Sequence, residues 1–321
     1  MTNQPIHSIN SGIIFFNKQK GITSFDALRD IKRALGTGKV GHTGTLDKFA
    51  QGLLIVLAGK ALRLSQWFSH CDKKYIGKIQ FGIETDTLDP EGKIIAEAPV
   101  PCREEAEKVF TQFTGDIMQE PPVYSAIHVN GRRASSLARE ASLQDGNSCK
   151  LPEMKKRKVT IYKLELLSWD PPFAEIFVHC SSGTYIRSLA RDIASAAGSR
   201  GYLCELVRTQ VAGFCLGNGD RSVEINCIST LDDYKQYSQL PLSLLPINKN
   251  IISKLGLQWF EVTEMEAQAV FNGKPLEAIL DNKPLLNSSL HTAAIFLNET
   301  FIAIIEKKEG KWKYGCVINE T

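Results

Sequence analysis

Along this chain of 321 residues the apolar positions keep switching between two periods, and that switching limits the fold. In YIGKIQFG (75–82) they alternate, as on a half-buried strand. AEIFVHC (174–180) reads as a second strand, and LLIVLA (53–58) as a short, fully buried one. In TSFDALRDIKRALG, by contrast, Leu28, Ile31 and Leu35 recur at helical spacing, with Thr23 or Ser24 as the cap and Gly36 as the stop. TYIRSLARDIASAAG likewise sets Ile186, Leu189, Ala190, Ile193 and Ala197 on one face. KALRLSQWF and REEAEKVFTQFTG also read as helices. Strands and helices mixed in this way predict an α+β protein in which helices cover a sheet.

The length suits two domains. LPLSLLPINKN (240–250) reads as a linker. Beyond about Ile251, the segments WFEV, AAIFLN, FIAIIEKK and KWKYGCVI predict a small, mostly β module. The division is therefore 1–248 and 249–321. Gly131 to Lys150 is polar and basic, more like an inserted mobile arm than core.

Composition narrows the function classes. The start, MTNQPIHSINSGIIFFNKQKG, is polar apart from Ile13 to Phe16, so no secretory signal is visible, and no apolar run nears the ~20 residues of a membrane span. Eight cysteines without a C-x-x-C pair read as reduced thiols in a cytoplasmic protein. The six histidines have no metal-ligand spacing. GTGKVG (36–41) matches a dinucleotide fingerprint by letter, but it follows a helix where that motif needs a strand. Net charge is only +3, yet Arg132 to Lys158 holds eight basic residues against three acidic ones. Such a concentration suits a polyanionic partner or, more plainly, a solvated face.

GHTGTLDKFAQG (41–52) holds a single carboxylate, Asp47, behind a run of Gly, His and Thr. A turn Asp and an Asp poised for chemistry on a positioned loop are both open at this point.

FNKQKGITS, KVGHTGTLDKFAQGLLIVLAGKALRLSQ, DKKYIGKIQFGIETDTLDPEG, FTGDIMQEPPVYSAIHVNGRRAS, HCSSGTYIRSLARDI and LCELVRTQVAGF follow one another along the chain. These six blocks, in this order, resemble the bacterial tRNA pseudouridine synthase B family. Departures from the family pattern are Gln19 and Lys48 in place of prolines, His128 in place of lysine, and Val207 in place of a basic residue.

The resemblance implies a pseudouridine synthase fold, a mostly antiparallel mixed sheet with the active-site cleft across its middle, plus a C-terminal domain similar to the PUA RNA-binding module. It implies isomerisation of uridine to pseudouridine at position 55 in the T arm of tRNA, without cofactor or metal, by a monomer. Asp47 would be the catalytic carboxylate, Arg187 the cation beside it, and Tyr75 the ring that stacks on the base and takes its C5 proton. Tyr185 would pack nearby, Leu206 would wall the pocket, and His42 would fill the gap left by the extruded base. Lys18, in the opening motif, would bind substrate. Rival readings are a guide-RNA-dependent relative, a non-catalytic tRNA-folding chaperone, and a nucleotide-dependent oxidoreductase resting on GTGKVG alone.

Overall fold

The computed structural model describes residues 11–143, 152–216, 244–280, 283 and 290–319. In chain order the elements are β1 (Gly12–Lys18), α1 (Ser24–Leu35), β2 (Val40–His42), β3 (Gln51–Ala58), α2 (Ser65–Ser69), β4 (Lys73–Phe81), β5 (Ile83–Thr85), β6 (Ile94–Glu97), α3 (Arg103–Phe110) and β7 (Gly115–Gln119). There follow β8 (His128–Val129), β9 (Arg132–Arg133), α4 (Ala134–Leu143), β10 (Arg157–Asp170), β11 (Phe173–Cys180), α5 (Ile186–Ala196), β12 (Gly201–Val211) and β13 (Phe214–Cys215). The last part holds α6 (Lys249–Lys254), β14 (Gln258–Glu261), α7 (Glu264–Phe271), α8 (Glu277–Leu280), β15 (Thr292–Leu297), β16 (Thr300–Lys308) and β17 (Lys311–Val317). This is the mixed α+β architecture that the alternating periods predict.

Two compact units divide the chain. The first takes residues 1–46, 52–71 and 210–321, the second 47–51 and 72–209.

In the second unit the strands run β12-β4-β11-β10-β7, with β4–β11, β11–β10 and β10–β7 antiparallel. Period-two patterning decides which side is covered. Tyr75, Ile79 and Phe81 of β4 are buried, as are Ala174, Ile176, Val178 and Cys180 of β11. α5 packs against β4 and α3, and its apolar stripe of Ile186, Leu189, Ala190 and Ile193 is buried. At roughly 25 cal/mol per Å² of apolar surface, each isoleucine or leucine of that stripe contributes about 1.5–3 kcal/mol.

In the first unit β3 pairs antiparallel with β1, from Gly12↔Ala58 to Lys18↔Gly52, and β2 adds to β3. α1 starts with a reciprocal cap. Thr23 Oγ1 accepts from the Asp26 amide at 3.0 Å while Asp26 Oδ2 accepts from the Thr23 amide at 3.2 Å. Gly36, at φ 62°, ends the helix. The C-terminal strands run β14-β15-β16-β17, with β14–β15 parallel. Their apolar residues face two ways. Phe260, Ile295 and Ile305 enter a core with α7, whereas Phe296, Phe301 and Ile304 share a core with Ile13 and Phe15 of β1 and Leu53, Ile55 and Leu57 of β3. A sheet buried on both faces explains the near-continuous apolar runs AAIFL and FIAII.

Four expectations change. Residues 131–143 of the expected mobile arm form part of the β8–β9 hairpin and α4, whose Ala134 and Ala138 are fully buried; residues 144–150 lie outside the described residues. The basic run also ends differently, since Arg157 and Lys158 open the 14-residue strand β10. The expected linker includes Leu245, which exchanges two backbone hydrogen bonds with Ile13, at 2.9 and 3.0 Å, while Leu244 is buried against β1 and α1. KALRLSQWF is a 3-10 turn, Gly59–Leu64, followed by the short α2.

Candidate active site

Asp47, Tyr75, Tyr185, Arg187 and Leu206 all belong to the second unit. Asp47 sits in a turn closed by the Ala50 amide donating to its carbonyl at 3.2 Å. The loop is less polar than its letters suggest, because Leu46, Phe49 and Ala50 are buried. Ser24 of α1 clasps Leu46, accepting from its amide at 2.9 Å and donating to its carbonyl at 3.0 Å. Lys48 points out and pairs with Glu91 at 3.3 Å.

Arg187 comes from the first turn of α5, and its side chain is only 5% exposed. Its Nε lies 2.9 Å from Asp47 Oδ2, an ion-pair contact rather than an aligned hydrogen bond, and its Nη2 donates to Asp47 Oδ1 at 3.3 Å. Nη2 also donates to the Tyr124 carbonyl at 2.9 Å, and Nη1 to the Thr87 carbonyl at 2.7 Å and to Asp89 Oδ2 at 3.2 Å. A guanidinium satisfied from this many directions has one orientation. Asp47 stays 36% exposed, so it is held along one edge and open on another.

Asp89 was not singled out from the sequence. It accepts from Thr87 Oγ1 at 2.6 Å and from the Glu91 amide at 3.0 Å. Burial pushes its carboxyl above the ordinary range, against the hydrogen bond from Thr87 and the charge of Arg187, which lower it. The residue before it, Leu88, is buried at φ 60°, strained backbone for a leucine. The detectable signal was the turn TLDPEG, whose Asp-Pro invites a side chain to bond its own backbone.

Tyr75 projects from the buried face of β4, and burial pushes its phenol up to about 12, offset in part by Arg208. Arg208 is itself buried and within hydrogen-bonding reach of the phenol; Asp47 is near enough for its charge to raise it further. Leu206, two residues earlier on β12, is buried on the same side as Arg208. Tyr185 caps α5, and its backbone is gripped by fully buried Gln119, which accepts from its amide at 2.8 Å and donates to its carbonyl at 3.0 Å. Gln119 and Arg208 also escaped the sequence reading.

The remaining two residues belong to the first unit. His42 lies on β2 opposite Val56, half-buried. Lys18 is fully buried, and its Nζ donates to the carbonyls of Gln19 at 3.0 Å and Ile22 at 2.7 Å, closing the turn before α1. Among the described residues no cluster of three or more His, Cys, Asp or Glu has a metal-binding arrangement, and no helix is long and apolar enough to cross a membrane.

The sequence pattern of the TruB family pseudouridylate synthase (N terminal domain) matches residues 32–186. Over 304 residues, 94% of this chain and 92% of the relative, the chain is 37% identical to the tRNA pseudouridine synthase B of Francisella tularensis subsp. novicida (strain U112). The chain belongs to the TruB family of pseudouridine synthases. It is also 39% identical over 245 residues to the tRNA pseudouridine synthase B of Borreliella burgdorferi (strain ZS7), spanning 75% of this chain and 84% of that one. The fold is similar to that in the crystal structure of a Cbf5–Nop10–Gar1 complex, at a TM-score of 0.65 and 22% identity over 99% of this chain and 87% of that one. An archaeal box H/ACA sRNP Nop10–Cbf5 complex gives 0.63 and 21%, over 98% and 88%. These two likenesses concern the pseudouridine synthase fold.

Proposed function

We propose that this protein isomerises uridine to pseudouridine in tRNA, at position 55 of the T arm, with Asp47 as the catalytic carboxylate. The observation that carries the reading is the half-open Asp47, fixed on one edge by buried Arg187 and near enough to buried Tyr75 for its charge to act on the phenol. The reaction breaks the N-glycosidic bond, turns the base and rejoins it through C5, with no net redox change or hydrolysis. One carboxylate serves either route to the first step, attack on the sugar or removal of a ribose proton. A pre-oriented carboxylate performs it without reorganisation, which is where such sites gain most.

The base must leave its stack, at about a few kcal/mol, and stacking on an aromatic ring returns roughly 1–3 kcal/mol. Tyr75 and Tyr185 are the rings proposed for this, with Leu206 as the apolar wall and His42 as the filler of the vacated space. A phenol held at about 12 is uncharged near neutral pH. To take the C5 proton, Tyr75 must therefore hand on its own; Arg208, donor-only, cannot accept it, and the balance closes at N1 of the base, which ends the reaction carrying a proton. Lys18 would act through the turn it closes. Residues 249–321 are proposed as the PUA-like RNA-binding module and residues 1–248 as the catalytic domain, working as a cytoplasmic monomer that needs no cofactor.

Pseudouridine mapping in an unmodified tRNA transcript incubated with the pure protein tests this. A single product at position 55 is expected. Product elsewhere would overturn the position, and no product would overturn the function.

A further inference from the structure

Arg157 stands at the edge of the site, and the chemistry above does not use it. It opens β10, and its Cα is in register with Gln119 of β7, the residue that grips the backbone of Tyr185. Its guanidinium carbon lies 4.7 Å from the centroid of the Tyr185 ring, and its Nη2 donates to the carbonyl of Gly183. Gly183 has φ 82°, and a β-carbon there would lie 3.7 Å from the guanidinium, so the group roofs this turn as well as the ring. The Arg157 Nε is buried without a hydrogen-bond partner. A buried N–H without an acceptor opposes folding, so stability alone does not explain this placement. What the arrangement does provide is a flat cation against one face of a tyrosine, a geometry that favours arginine over lysine.

We propose that Arg157 is a positioning residue for Tyr185, fixing its ring from behind so that the opposite face meets the extruded base at a set angle. Gln119 holds the backbone of Tyr185 and Arg157 its side chain. Both act from the neighbouring strands β7 and β10, and Arg187 follows Tyr185 by two positions on α5. The inference rests on the reading of Tyr185 as a ring that packs the target base.

The experiment uses the full chain as wild type, Arg157→Ala, Arg157→Lys, Tyr185→Ala and the double variant Arg157→Ala with Tyr185→Ala. Ring relaxation of 13C-labelled tyrosine in the free protein should show Tyr185 mobile in Arg157→Ala and restrained in wild type. The single-turnover rate at saturating tRNA should fall at least tenfold in Arg157→Ala and less in Arg157→Lys, which keeps the cation but loses the fork. The tRNA Kd should stay within twofold. In the Tyr185→Ala background, removing Arg157 should change the rate no further, the non-additivity expected of residues acting through one another. An immobile Tyr185 ring in Arg157→Ala, additive losses, or a weaker Kd with a flatter salt dependence would each overturn the proposal; the last would make Arg157 a phosphate contact. Arg157→Lys keeps the test informative if the alanine variant unfolds. If wild type makes no pseudouridine, the functional reading fails, while ring relaxation still decides whether Arg157 holds Tyr185.

Discussion

The Arg187 guanidinium meets both oxygens of Asp47, Nε at 2.9 Å from Oδ2 and Nη2 at 3.3 Å from Oδ1, and so sets the plane of the carboxylate. Asp47→Asn keeps the shape and removes the charge. Isomerisation should be lost, while tRNA binding stays within about tenfold, or ~1.4 kcal/mol. Near wild-type product formation by the Asn variant in a single-turnover assay would refute the role of Asp47.

Arg187 also neutralises Asp89, which burial has already pushed upward. Arg187→Met leaves that carboxylate buried and unpaired, and breaking a buried pair costs about 3–5 kcal/mol. A raised acid binds its proton more readily folded than unfolded, so its ionisation lowers stability as pH rises through the window above the ordinary carboxylate value. The Met variant should therefore be least destabilised in acid and progressively worse towards neutrality. Urea denaturation of both proteins across that range checks the sign. A deficit that shrinks as pH rises would contradict it.

Tyr75 should ionise late. Its folded value of about 12 against 10.0 for a free phenol means that, above pH 10, the unfolded chain loses a proton that the folded one keeps. Stability should fall between these values by up to about 3 kcal/mol, and Tyr75→Phe should remove that slope. Phenolate absorbance of wild type against Tyr75→Phe isolates the same group. In activity, Tyr75→Phe should keep base flipping and lose product, whereas Tyr75→Leu should lose both. Equal full activity in the two variants would sink this assignment.

The basic stretch should grip phosphate. Lys158 and Arg132 are engaged with Asp116 and Glu140, so the exposed Arg133, Lys155 and Lys156 are the better test. Changing all three to Ala should weaken tRNA binding and flatten the plot of log affinity against log salt by about one unit per lost contact. Chemistry at saturating tRNA should hold, because such groups position RNA without touching the reacting ring. An unchanged slope would make this a solvated face.

Much of this molecule was legible in its sequence because local rules and tertiary packing agree. YIGKIQFG alternates and β4 buries every second residue; the stripe of TYIRSLARDIASAAG is the buried face of α5. β10 was not legible, since RKVTIYKLELLSWD mixes charges into both faces of a strand that is covered only in part. Asp47, Tyr75 and Arg187 came from family resemblance, and in the structure they gather within one unit. Asp89, Gln119 and Arg208 escaped because each works through a partner distant in sequence. Arg187 is 98 positions from Asp89, and Gln119 is 66 from Tyr185. No periodicity or spacing rule reaches across such gaps.

The shared core of β1, β3 and the C-terminal strands bears on how the chain is made. Ile13 and Phe15 bury against Phe296, Phe301 and Ile304, partners made about 280 residues after them. The second unit, drawn chiefly from the continuous stretch 72–209, can close while translation is under way. β1 must wait with its apolar side chains uncovered, so closing the first unit is a long-range and slow event. Asp47 opens the short stretch 47–51, which is counted with the early-closing second unit although segments of the waiting first unit flank it in sequence.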